Sequence, residues 1–108
     1  DCQRIAAGAY VPYAVYPADA VEVIEGKTMT WALKTNPRTR CASCGTLLFG
    51  QPVGMGVRGI IAHLLPPGSF KPQLHIQCQD AMNPVADNLP HFKAFPAAFG
   101  GTDEKVDW

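Results

Sequence analysis

Arg40-Cys-Ala-Ser-Cys-Gly-Thr-Leu-Leu-Phe-Gly50 sets two cysteines at C-x-x-C spacing, then a glycine, then an apolar run of strand character. Two thiolates two residues apart on a tight turn can point at one metal ion, and Gly45 supplies the backbone freedom the turn needs after the second ligand. The run from Thr46 to Phe49 then predicts a strand that pins this turn to a core. The favoured reading is half of a four-cysteine zinc site. Two others stand beside it: a redox dithiol, and buried thiols unrelated to each other. A redox C-x-x-C calls for a helix opening at the motif, and Gly45 with the strand-like run after it opposes that.

Working outward, composition limits the options. The chain has 108 residues, enough for one domain, and 47% of them are hydrophobic. Nine basic and nine acidic residues cancel, so no net field draws the chain to nucleic acid or an anionic membrane. No apolar run approaches the roughly 20 residues of a membrane-spanning helix, and no signal-peptide pattern opens the chain. Four cysteines are too sparse for a disulfide scaffold, and the C-x-x-C pair suits metal binding in a reducing, cytoplasmic setting. The first residue is Asp1, not Met, from which further residues upstream are expected.

Short strands separated by Gly and Pro turns, without a helical period, predict an all-β fold. Residues 9–16 are aromatic and β-branched with Pro12 inside, predicting an edge strand or one broken at the proline. Residues 21–25 alternate, as do residues 28–34, where Met29, Trp31 and Leu33 share one face of the best-defined half-buried strand. Residues 35–39 read as a polar loop. Residues 51–56 form a Gly-rich loop without a phosphate-binding fingerprint. Residues 57–65 predict a buried strand and an apolar turn, stopped by Pro66-Pro-Gly-Ser. Residues 72–78 alternate, with Leu74, Ile76 and Cys78 opposite Gln73, His75 and Gln77. The ends, residues 1–8 and 100–108, read as a frayed terminus and a mobile polar tail held only at Trp108.

Three stretches together resemble the glutathione-dependent formaldehyde-activating enzyme (Gfa, centromere-protein-V) family. They are Cys2-Gln-Arg-x-x-Ala-Gly-Ala-Tyr, the Arg40–Gly50 element, and Lys71-Pro-Gln-Leu-His-Ile followed by Asp87-Asn-Leu-Pro-His-Phe. The likeness runs from residue 2 to about residue 92. It implies an all-β fold of small antiparallel sheets, the β-tent (Mss4-like) type, with a C-x-x-C zinc knuckle. On this resemblance residues 1–99 form one Gfa-like β domain lacking its N-terminal part, and residues 100–108 a tail. Cys41 and Cys44 match the second pair of the family's structural zinc site. Cys2 matches the last cysteine of the C-x-C-x-x-C motif that holds the catalytic zinc. The remaining ligands would precede Asp1. Residues 59–63 and 80–83 depart from the family pattern.

The resemblance implies a zinc-dependent carbon–sulfur lyase-like protein that condenses formaldehyde with glutathione. A small thiol or aldehyde would be its partner, Cys2 its catalytic residue, and Cys2, Cys41 and Cys44 its metal ligands. The alternative is a non-catalytic remnant of the same fold, serving binding or assembly, with a homodimer covering its apolar strands; an unrelated zinc-ribbon module is a third option. His75 reads first as a hydrogen-bonded strand histidine and second as a catalytic or supporting residue. His63 and His91 read as loop residues. Cys78 reads as a buried small hydrophobe, with a tetrathiolate site of Cys2, Cys41, Cys44 and Cys78 as the outside option. Trp31, Phe49 and Tyr16 read as packing residues.

Overall fold

A computed structural model describes residues 1–108. The chain is all-β in character with little helix, and it divides into two units, Pro12–Phe70 and Asp1–Val11 with Lys71–Trp108.

Pro12–Phe70 builds one five-stranded antiparallel sheet. Its strands are β1 (Tyr13–Pro17), β2 (Thr28–Leu33), β3 (Asn36–Cys41), β4 (Leu47–Gly50) and β5 (Val57–Ile61), in the order β1-β5-β4-β3-β2. Proline has no N–H to give a ladder, and β1 accordingly begins just after Pro12, at the sheet's edge as expected.

Residues 35–39 overturn the loop expectation. Thr35 lies in the turn, but residues 36–39 lie in β3, between β2 and β4, because Lys34 turns in the left-handed region (φ +64°) and with Thr35 closes a tight β2–β3 hairpin. Pro37 is accommodated near the start of β3, where its carbonyl accepts from Gln51 N–H. Residues 21–25 form no strand.

The predicted β2 is present, but it is the opposite edge strand. Met29 and Leu33 are exposed and only Trp31 is half-buried, under the Arg40 guanidinium 4.8 Å away. Phe49 and Ala62 are the buried apolar residues of this unit, with Thr39 beside them, its hydroxyl 2.9 Å from that of Thr30. Tyr16, expected to pack, is largely exposed.

Gly59 of β5 is required by close approach. A Cβ there would lie 2.8 Å from Tyr13 Cδ1 and 3.2 Å from Tyr13 Cγ, so the tyrosine ring uses the space that a side chain would fill.

In the other unit, α1 (Cys2–Ala6) replaces the frayed terminus that the sequence predicts. Gln3 holds it in place: its amide donates to the Ala9 and Asn83 carbonyls, and its Oε1 accepts from the Met82 and Asn83 N–H groups. One short turn cannot stabilise itself in water, so this side chain supplies what helical periodicity does not.

The strand predicted over residues 72–78 is also absent. Gln77 in the left-handed region (φ +57°) ends the extended run. Residues 75–79 instead lie beside residues 90–94, through His75 N–H to Pro90, Phe92 N–H to His75, Gln77 N–H to Ala94 and Cys78 N–H to Phe92. Residues 104–106 are held by Lys93 N–H to Glu104 and Val106 N–H to His91, and the Trp108 ring lies 5.1 Å from that of His91. No helix is long and apolar enough to cross a membrane.

Candidate functional site

The Cys41–Cys44 turn joins β3 to β4 and is held at each step. Cys41 N–H donates to Thr46 C=O, Gly45 N–H to Cys41 C=O and Ala42 N–H to Lys27 C=O, each at 2.9 Å. Gly45 has φ +76°, which is why glycine follows the second cysteine. Arg40 Nη1 donates to Gly45 C=O at 2.8 Å. A bulge between Thr39 and Arg40 shifts the β3–β4 register just before the turn, a common device for re-aiming side chains at a sheet end.

The two thiols are brought together at this turn. Thr46 Oγ1 lies 3.0 Å from Cys44 Sγ, and with a thiolate as acceptor the hydroxyl donates. That hydrogen bond first, the Thr46 N–H second and the Cys41 thiol third hold the Cys44 thiol below its ordinary value of 9.0. Cys44 is exposed and Cys41 half-buried. An exposed, hydrogen-bonded thiolate is the form that binds metal.

Cys2 opens α1, half-buried, in the unit that also holds Cys78. Cys78 is buried; burial first and the Asp87 charge second push its thiol up, which keeps it neutral. No convergent group of three or more His, Cys, Asp or Glu side chains includes a cysteine. The group that does converge is His75, Asp87 and His91, whose ligand atoms all lie within 4.8 Å of one another, an arrangement that can hold a metal.

This cluster is assembled by backbone. A parallel bridge pairs His75 with His91, which sets their side chains beside each other, rings stacked at 4.7 Å and 5°. Asp87 Oδ2 lies 2.7 Å from His75 Nε2, and its Oδ1 accepts from Leu89 N–H at 2.9 Å. His91 Nε2 is 3.2 Å from Asp87 Oδ1, but off the hydrogen-bonding direction, so this enclosed nitrogen has no hydrogen-bond partner. Such an orphan costs about 1–3 kcal/mol. Tyr10 meets the His75 ring edge-on at 5.8 Å.

Sequence reading named His75 and His91 but gave them separate and minor roles, and it missed their shared carboxylate. The available signal was Asp87-x-x-x-His91 within the same motif.

The His75 hydrogen bond first, and the Leu89 N–H second, hold the Asp87 carboxyl below its ordinary value of 3.8. A carboxylate depressed in the folded state stabilises the fold above its ordinary value, and this contribution is lost as pH falls through the lower, folded one. Urea melts below about pH 4 should therefore show stability falling with pH more steeply in the wild type than in Asp87→Asn. Parallel curves would show that the contact contributes nothing.

Compared with protein-family models, with curated proteins and with solved structures, the chain matches none.

Proposed function

We propose that the chain is a zinc-binding β-tent protein of the formaldehyde-activating type, with carbon–sulfur lyase-like chemistry toward a thiol and an aldehyde. The observation that carries the zinc assignment is the Cys41–Cys44 turn, where two neighbouring thiols, one with its thiolate form favoured, sit on a rigid hairpin end. The donor set fits half of a structural tetrathiolate site. Ligands from outside these residues would complete it.

The catalytic part of the reading rests on the resemblance at Cys2. Zinc with an open position would supply Lewis acidity or a bound thiolate there. Cys2 stands without converging ligands in this structure. This same observation favours the second reading, a binding or assembly domain that keeps the knuckle and lacks the chemistry.

One experiment separates the two. The protein is loaded with zinc, and the exchange of formaldehyde and glutathione with S-hydroxymethylglutathione is followed by NMR. Acceleration lost on Cys2→Ser supports the lyase. Stoichiometric zinc without acceleration supports the binding domain. Neither zinc nor acceleration sinks both.

A further inference from the structure

We propose that His75, Asp87 and His91 form a separate nitrogen–oxygen site for a divalent first-row transition ion. Two imidazoles and one carboxylate with room for water are a recognised donor set for such ions, and sulfur takes no part.

Three observations carry the assignment. The first is convergence: both Nε2 atoms lie close to one carboxylate, with separations of 2.7 and 3.2 Å, and all three ligand atoms fall within 4.8 Å. An ion about 2.0–2.2 Å from each ligand spaces them by about 3–3.5 Å, so adjustments of about an ångström suffice. The second is the state of His91. Its ring is 5% exposed, its Nε2 is enclosed, and that nitrogen lies 3.2 Å from the Asp87 carboxylate without a hydrogen bond. A cluster built only for hydrogen bonding would satisfy this atom; a cation gives it the partner it lacks. The third is anchoring. The His75–His91 bridge fixes the two histidine backbones, and Leu89 N–H fixes one carboxylate oxygen.

The geometry also says how an ion enters. Parallel rings cannot both hold one ion in their planes, so one ring must turn. His91 is enclosed and packed against Trp108, whereas His75 is partly exposed and touches an exposed tyrosine, Tyr10. His75 is therefore the ring that swings. Asp87, more exposed than either histidine, leaves the remaining coordination positions to water.

The test is independent of the knuckle. Cobalt(II) chloride is titrated into the full chain carrying Cys41→Ser and Cys44→Ser. One saturable equivalent is expected, with ligand-field bands and no sulfur-to-cobalt charge-transfer band. Asp87→Asn and His75→Ala should each weaken binding beyond the about 10–100-fold that loss of an outer-shell partner costs. Because His91 variants risk unfolding, the intact rings are also followed by NMR, where zinc(II) should shift both the His75 and His91 resonances in the same titration. No saturable binding, equal affinity in Asp87→Asn, a thiolate charge-transfer band, or unshifted histidine resonances would each overturn the site. None of these results bears on zinc at Cys41 and Cys44.

Discussion

On the proposed zinc site at Cys41 and Cys44, Cys44→Ser is expected to lose the ion and with it the largest single contribution to stability. A structural zinc contributes apparent free energies of about 10–16 kcal/mol in small zinc-dependent folds, more than any packing change here can match. Removing one of two adjacent thiolates leaves an incomplete donor set, so zinc content should fall by one equivalent per chain and Cys41→Ser should behave alike. The wild type should melt at a lower temperature with a chelator present, and the variants should lose most of that response. Thr46→Val offers a graded version, since it deletes the hydroxyl 3.0 Å from Cys44 Sγ while keeping both ligands. Loss of such an outer-shell partner weakens affinity by about 10–100-fold. A wild-type protein without zinc, melting identically with and without chelator, would remove the metal assignment at this turn.

The second large effect is expected at Phe49. Its ring is 8% exposed, and it stands in β4 opposite Thr39 on one side and Ile60 on the other, with the Arg58 guanidinium 5.0 Å from its centroid. Arg58 is itself held by Gln51 Oε1 and the Val21 carbonyl. Truncation to alanine therefore removes a packed ring and strips a partner from a fixed cation, at a cost of about 3–5 kcal/mol. At about 4 °C per kcal/mol, Tm should drop by about 12–20 °C. Val15→Ala, at a site 63% exposed in an edge strand, should change stability by no more than about 0.5 kcal/mol. Denaturant melts of both variants decide the matter; a Phe49→Ala cost under about 1 kcal/mol would show that the ring does not organise this sheet.

Parts of this fold were legible because local chemistry alone dictates them. Proline at position 12 excludes a ladder donor, so β1 starts after it; glycine at 45 permits a positive φ, so the two cysteines end on a turn; Val57, Ile60 and Ile61 favour the extended backbone of β5. Other parts depended on distant partners. The polar stretch 36–39 became an interior strand because strands on both sides satisfied its backbone, which polarity does not encode. Alternation over 72–78 gave way because Gln77 turned left-handed and the partners at 90–94 ran parallel to it. The helix at the start rests on one glutamine bonding to residues about 80 positions away.

The same division applies to the candidate sites. The sequence by itself determined the cysteine pair, since ligand spacing and turn geometry are set within five residues, and the structure added the thiolate-favouring contacts of Thr46. Only the tertiary structure decided His75, Asp87 and His91. Their convergence needs a backbone bridge across sixteen residues of chain, and no spacing rule specifies which distant segments a chain will lay side by side. Local geometry is written in neighbouring residues; a site assembled from separate segments exists only once the hydrogen bonds that align them have formed.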